Sequence, residues 1–366
     1  MLEQTNIWDL QNLNYATKKQ IIKSLGEQKD KDACYSLIEF LYDDHKPIQE
    51  LAMSTLTSID TKEVVECTLL LLHENDARVR TMAMEIIKEV AYDRISSLVP
   101  FLADPDEPMR VAIADLLGLL GNPCAVESLI ESLKDTSPHV RSSALASLGR
   151  LADERAVGAI ENLLKSEEES WVIFSCIKSL EKISGRESIR ILLDLLKEKD
   201  EFILAATIES LGEIGTTETI SHMLDAISHP TEGIIDERMN AAFLSILQRE
   251  KATNPSRLAA RMEGKIRSDL ISFFKARIRS NASIWTRSRA IELLGELRAH
   301  ESLDALASII QDGHPMLQVA VAHALGTIGG DEAKKLLLQL SISLNTAIQT
   351  AAQESLGKLD RSHSEK

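Results

Sequence analysis

Apolar residues recur along this chain at helical spacing, in short stripes separated by polar turns. The pattern is cleanest from Ser137 to Ser166, SPHVRSSALASLGRLADERAVGAIENLLKS. Ser137 can cap a helix and Pro138 suits a first turn, so a helix is expected to start there. Val140, Ala144, Leu145 and Leu148 then line one face of it. Gly149 and the turn Ala152-Asp153-Glu154 close the helix, and Val157, Ile160, Leu163 and Leu164 form the stripe of a second. Neither helix is long enough to be stable alone in water. Each needs a neighbour to bury its stripe.

Those neighbours are copies of the same unit. An anchor residue before or near a glycine falls at Leu25, Leu56, Ile87, Leu117, Leu148, Leu180 and Leu211, at gaps of 30 to 32 residues. It returns at Leu294, Leu325 and Leu356, again 31 apart. Glycine follows the anchor at seven places, Gly149 among them, with two expected roles: ending the first helix and letting backbones approach closely. Eleven residues before the anchor stand Asp76, Asp106, Ser137, Asp200, Ser283 and Asn345, all able to cap a helix. Seven before it stand Arg80, Arg110, Arg141 and Arg287. Asp76 with Arg80, and Asp106 with Arg110, are expected to pair one turn apart and to build a ladder between repeats.

The motif Val-Arg, small residues, Leu-Gly, then an apolar second helix ending in Leu-x-Asp resembles the HEAT repeat. It is similar in particular to the short subtype found in phycobilin lyases. VRSSALASLGRLADERAVGAIENLL is the best copy, with DARVRTMAMEII and EPMRVAIADLLGLLGNPCAVESLIESLKD behind it. The resemblance covers about residues 18–360 and implies an all-α fold. That fold is a right-handed α-α superhelix (HEAT-repeat solenoid) of about eleven helical pairs, first helices on the convex side and second helices on the concave side. The expected organisation is one continuous solenoid: an N-terminal capping helix at 1–17 carrying Ile7, Trp8, Leu10 and Leu13, then seven regular repeats at 18–232. An irregular basic repeat follows at 233–284, C-terminal repeats at 285–360 and a disordered tail at 361–366.

The irregular repeat breaks the period, with a gap of 83 between Leu211 and Leu294. A first helix around Leu247 and a long second helix from about Ser256 to Arg279 are expected. Leu258, Met262, Ile266, Leu270, Phe273, Phe274 and Ile278 would lie on its buried face. From Arg249 to Arg298 there are twelve Lys or Arg and five acids, a local charge of +7 in a chain of net charge −15. The expected reading of this charge is a solvated face or an intramolecular match for the acidic repeats, with partner docking through Arg257, Arg261 and Lys265 next. Nucleic-acid binding ranks last, because no aromatics interleave with the exposed basic positions.

Composition narrows the remaining choices. Charged residues at 27% and aromatics at 4% fit a soluble helical chain. The net acidity argues against a surface built for nucleic acid or anionic membrane. Cys34, Cys67, Cys124 and Cys176 are scattered with no CxxC pair, as expected of reduced thiols in the cytoplasm. No apolar run approaches a membrane span.

The candidate binding surface is the ridge of second helices, ten and fourteen residues after each anchor. Tyr35, Leu70 and Phe101 place apolar side chains there, and Glu127, Glu131, Asp194 and Asp225 an acidic middle suited to a basic partner. Trp171 and Trp285, nine before their anchors, are expected to pack at first-helix starts, and Trp8 to plug the N-terminal end. Catalytic chemistry is not legible. His73-Glu74 and His300-Glu301 fall at the end and start of second helices, unlike the iron-holding His-Glu pairs that open first helices in deoxyhypusine hydroxylase. No cofactor, metal or nucleophilic set stands out. The expected function is therefore a non-enzymatic scaffold binding another protein on its concave face. The alternative is an accessory or chaperone-like subunit of a modifying enzyme such as a phycobilin lyase.

Overall fold

A computed structural model describes residues 13–59, 61–226, 234–253, 264–312 and 314–364. Among them all the regular elements are helical, and packing divides the chain into two compact units, Met1–Ser184 and Gly185–Lys366.

In the first unit five helix pairs follow one another: α1 Tyr15–Gln28 with α2 Lys31–Glu39, α3 Lys46–Ser58 with α4 Lys62–Leu70, and α5 Ala77–Val90 with α6 Ile95–Leu98. Then come α7 Glu107–Leu120 with α8 Val126–Ser132, α9 Pro138–Leu151 with α10 Val157–Leu164, and finally α11 Ser170–Ile183. The odd-numbered helices stack on each other in order and form one layer, while α2, α4 and α6 stack in the other. The second unit opens with α12 Arg186–Leu195. It continues with α13 Glu201–Ile214 and α14 Thr217–Ala226, α15 Ile234–Thr253 and α16 Lys265–Arg279, and α17 Ile284–Glu296 and α18 Leu303–Asp312. Last come α19 Pro315–Ile328 with α20 Gly330–Ser341, and α21 Thr346–Ser364.

Nine of the ten anchors are core residues: Leu56, Ile87, Leu117, Leu148, Leu180, Leu211, Leu294 and Leu325 are wholly buried and Leu25 nearly so, while Leu356 in the last helix is half-buried. The capping positions also act as expected. Asp76, Ser137, Asp200 and Ser283 each accept a backbone N–H two or three residues on, and Asn345 does the same for Ala347, whereas Asp106 makes no such bond.

The anchor glycines do not end their helices. α9 runs two residues past Gly149 to Leu151 and stops where Ala152 turns left-handed (φ 52°). What the glycines provide is proximity. A Cβ on Gly212 would stand 2.8 Å from the Cα of Ala242 in the next first helix, and one on Gly295 2.9 Å from the Cα of Ala324. Backbones this close can bond through short side chains. Ser147, fully buried, donates its hydroxyl to the Ala114 carbonyl at 2.8 Å, and Ser179 to that of Leu145 at 2.6 Å.

The arginine ladder exists, but with different rungs. Arg80 donates to the carbonyls of Glu74 and Asn75, and it is Arg78 that pairs with Asp76 at 2.8 Å. Arg110 reaches forward to Asp135 with two hydrogen bonds, 2.8 and 3.0 Å, and Arg141 to Glu167 with two more, 2.8 and 2.9 Å. Arg141 also donates to the Asp135 carbonyl, so Arg110, Asp135, Arg141 and Glu167 form one chain across three repeats. The reason is reach: the guanidinium lies over the turn before its own helix, where Arg110 and Arg141 donate to the Asp104 and Asp135 carbonyls and face the carboxylate of the following repeat. Burial alone would raise the carboxyls of Asp135 and Glu167. The arginine bonds and the backbone N–H groups of Ser137 and of Glu169 outweigh it and hold both below the ordinary range.

In the irregular repeat, Gly264 (φ 75°) interrupts the long helix expected from Ser256, and α16 begins at Lys265. Leu258 and Met262 lie outside the described residues. Leu270, Phe274 and Ile278 are buried as expected. Phe243 of α15 meets Phe273 and Phe274 edge-on, at ring separations of 5.5 and 6.1 Å. Above Phe273 lies the Arg277 guanidinium, 4.2 Å from the ring centre, and it pairs with buried Asp236 at 2.8 Å.

Candidate functional site: the second-helix ridge

The best-formed candidate surface lies in the first unit, where α2, α4 and α6 stack side by side. Their buried stripes (Cys34, Leu37 and Ile38; Val64, Val65 and Leu69) face the first-helix layer, which turns the opposite positions outward. Tyr35 and Leu70 are such positions, 39% and 52% exposed on adjacent helices. The Lys31 ammonium lies 5.8 Å from the Tyr35 ring centre. Glu39, one turn on, has its carboxyl pushed up by burial and by nearby Glu74, and the same two influences push the Tyr42 hydroxyl up to about 12.

Phe101 is the correction in this row. It is half-buried, because the segment tightens into a 3₁₀ turn, Val99–Ala103, around Pro100, which cannot continue the α-helical bonding. Beside that turn opens a groove of about 670 Å³, walled by Val99, Pro100 and Leu102 on one side and by Ser128, Glu131 and Lys134 on the other.

The expected acidic middle is electrically matched rather than free. Glu127 pairs with Arg155 of the next repeat at 3.1 Å, and Glu131 with Lys134 at 2.7 Å. In the second unit Asp194 pairs with Lys197 at 2.9 Å, and Asp225 is exposed on α14. The basic repeat is matched in the same way. Arg267 pairs with Glu301, Lys275 and Arg279 both reach Asp304 at 3.1 Å, and Arg249 donates to the carbonyls of Gly212 and Gly215. Lys265 is exposed at the start of α16, while Arg257 and Arg261 lie outside the described residues.

The tryptophans correct a second expectation. Trp171 leans on His139 at 5.1 Å between ring centres and stays 38% exposed, and Trp285 is 72% exposed. Nine before the anchor is an outward position of the first turn, so packing there is only partial. The same offset holds exposed Phe202 and Met316, an outward apolar column that sequence reasoning missed although its offset from the anchor was readable. Trp8 lies outside the described residues.

Among the described residues, no group of three or more His, Cys, Asp or Glu side chains converges to hold a metal ion, and no helix is long and apolar enough to cross a membrane. Cys34, Cys67 and Cys176 are buried free thiols, the last two pushed up to about 12 chiefly by burial, so none is primed as a nucleophile.

Two layers of stacked helices, repeating every 31 residues or so, define an α-helical solenoid. The family model for HEAT repeats matches residues 95–181, 159–242 and 271–357, well over half of the chain. The chain belongs to the HEAT-repeat family. Its fold is also like that of the karyopherin Kap121p, in a crystal structure with the extreme C-terminus of the protein phosphatase Cdc14p. That likeness has a TM-score of 0.56 at 12% identity and covers 96% of this chain and 42% of the other. It speaks for the fold alone.

Three curated relatives are similar to parts of this chain, two of them with bilin in their names. The phycocyanobilin lyase subunit alpha of Picosynechococcus sp. is 46% identical over 61 residues, 17% of this chain and 23% of the relative. Bilin biosynthesis protein PecE of Nostoc sp. is 34% identical over 95 residues, 25% of this chain and 38% of the relative. An uncharacterized phycocyanin operon protein Z of Pseudanabaena tenuis is 22% identical over 196 residues, 50% of this chain and 96% of the relative. The matches thus span well under two thirds of the first two. They overturn one expectation: with relatives named as a lyase subunit and a bilin biosynthesis protein, the label of a non-enzymatic chain does not stand. They favour the alternative, an accessory subunit of a modifying enzyme, and such a subunit need not carry a catalytic set of its own.

Proposed function

We propose that this chain is a helical-repeat subunit of a phycobilin-lyase-type modifying system, and that its second-helix ridge holds the protein to be modified. The observation that carries the reading is the match of its repeats to relatives named for bilin attachment and biosynthesis. The ridge supports it. Tyr35 and Leu70 offer exposed apolar surface on rigid neighbouring helices, with half-buried Phe101 next in the row, the kind of feature that marks an interaction site. Glu127 and Glu131 would contribute polar contacts in the first unit, and Asp194 and Asp225, and separately Lys265 with Arg257 and Arg261, would be contacts of the second unit in their own right. The groove beside Val99–Ala103 lies within the size range of small-molecule sites and has the mixed apolar and charged lining such sites use. A bilin seated there would lie against the apolar wall of Val99 and Leu102, with the Glu131–Lys134 pair at the rim.

The test is spectroscopic. Phycocyanobilin titrated with the full chain is expected to shift and sharpen its absorbance. Ser128→Trp, which fills the groove, is expected to abolish the shift, while Leu70→Glu leaves it intact and lowers bilin loading on a co-expressed phycocyanin subunit. No shift with the wild-type chain, together with unchanged loading in its absence, would sink the proposal.

A further inference from the structure

The repeats supply a comparison for one position on the ridge. Fourteen residues after the anchor stand Glu131 and Asp194, and each pairs with the lysine three positions on, Lys134 at 2.7 Å and Lys197 at 2.9 Å. Asn162, at the same offset, accepts from Lys165 at 3.2 Å. A lysine just past a second helix also suits the partial negative charge of that helix end. The first copy keeps the carboxylate, Glu39, but has Tyr42 where the others have lysine.

The surroundings do not make up the missing charge. Glu39 closes α2 half-buried, and Glu74, at the corresponding end of the next copy, is a second carboxylate close enough to raise it. No ion pair to Glu39 occurs among the described residues. The cations nearby are engaged elsewhere: Lys62 pairs with Glu66 at 2.8 Å, Arg78 with Asp76, and Arg80 donates to the carbonyls of Glu74 and Asn75. Residues 1–12 contain no lysine or arginine. Beside this unmet charge lies exposed apolar surface. Tyr35 stands one turn back on α2, and Leu70 holds on α4 the offset that Glu39 holds on α2.

We propose that Glu39, with Glu74 beside it, receives an arginine or lysine side chain of the protein held on the ridge, while Tyr35 and Leu70 cover an apolar residue next to that cation. This rests on the reading of the ridge as a protein-binding surface. The incoming cation takes the place of the lysine that this copy lacks. Apolar contact around the pair excludes water, which strengthens the attraction. A neutral or acidic segment docked there would instead leave a desolvated carboxylate without a partner, and that penalty selects against it. The occupant is therefore a protein segment that presents a cation beside an apolar side chain.

Fluorescence anisotropy with the full chain tests this, using a labelled helical peptide of leucine and arginine. Its twin carries citrulline, the neutral isostere, at each arginine. At about 0.15 M salt the arginine peptide is expected to bind more tightly than its twin by about tenfold or more. Glu39→Gln should remove most of that difference, and Leu70→Ser should weaken both peptides. Tyr42→Lys, which returns the missing lysine, should block the site as Glu39→Gln does. Glu85→Gln, the same charge change at an exposed position of α5, should leave binding unchanged and so separates this site from general attraction to an acidic chain. Glu39→Gln should also melt no lower than wild type, because its carboxylate has no internal cation to lose.

Equal affinity of wild type and Glu39→Gln for the arginine peptide would overturn the proposal, as would equal losses for Glu39→Gln and Glu85→Gln. A clearly lower melting temperature for Glu39→Gln would overturn it too, by giving the carboxylate a structural role. Spermine binding that depends on Glu39 but not on Leu70 would assign the site to a free polyamine instead. None of these readouts involves bilin, so a failure of the lyase reading leaves them standing.

Discussion

Gly295 shows how much of this fold rests on single missing atoms. A methyl group there would stand 2.9 Å from the Ala324 Cα, a backbone atom that cannot swing aside. Alanine is the better helix former by about 1 kcal/mol, yet overpacking against backbone costs about 1–3 kcal/mol. The second effect should win. Gly295→Ala is expected to lower the melting temperature by several degrees, as read by thermal circular dichroism, whereas Gly158→Ala, where nothing lies within 4 Å, is expected to leave it unchanged or raise it. The presence of glycine after the anchor was legible in the sequence. Close approach was one of the two roles expected of it, but the sequence could not choose between that and helix termination, which leave the same letter. Only the neighbouring helix, with Ala324 or Ser147 opposite, separates them.

At the scale of elements, the chain Arg110–Asp135–Arg141–Glu167 ties three successive first-helix starts together, with each side chain about 15% exposed or less. Both carboxyls are held below their ordinary values in the fold, so the unfolded chain binds protons more readily than the native one as pH falls. Their stabilisation is present above about pH 5 and is lost as the pH drops through the depressed folded values, below about 4. The melting temperature should therefore fall steeply below pH 4. A double variant, Asp135→Asn with Glu167→Gln, should be less stable at pH 7 and show a flatter pH dependence; an unchanged slope would mean other carboxylates dominate. The sequence showed the arginine column but paired it one turn back. A guanidinium has several carboxylates in reach, and the choice among Asp106, Asp135 and others depends on where the adjacent turn lies. Trp285 is a similar case: its offset from the anchor was plain, but its 72% exposure depends on what the neighbouring turn leaves uncovered.

At the scale of the whole molecule, charge balance was read correctly in sum and only coarsely in place. Part of the local excess of positive charge around α16 is met inside the fold by the carboxylates of Glu301, Asp304 and Asp236. The full chain is expected to pass through a heparin column at about 0.15 M salt, because its net charge of −15 repels a polyanion. Retention that disappears on charge reversal at Arg257 and Arg261 would show that these two positions act as an anion contact. The fold class was legible because a solenoid is a local structure repeated. Helical periodicity, caps and a 31-residue period are short-range signals that recur along most of the chain, and a signal repeated that often survives errors in any single copy. The sequence by itself therefore determined the helices, their order and the buried anchors such as Leu148 and Leu294. Which outward residues are exposed, as Tyr35 and Leu344 are, or drawn in, as Phe101 is, was decided by the tertiary structure alone. So was which carboxylate each arginine takes. Both depend on contacts between residues some 25 to 35 positions apart, and the spacing within one helix carries no record of them.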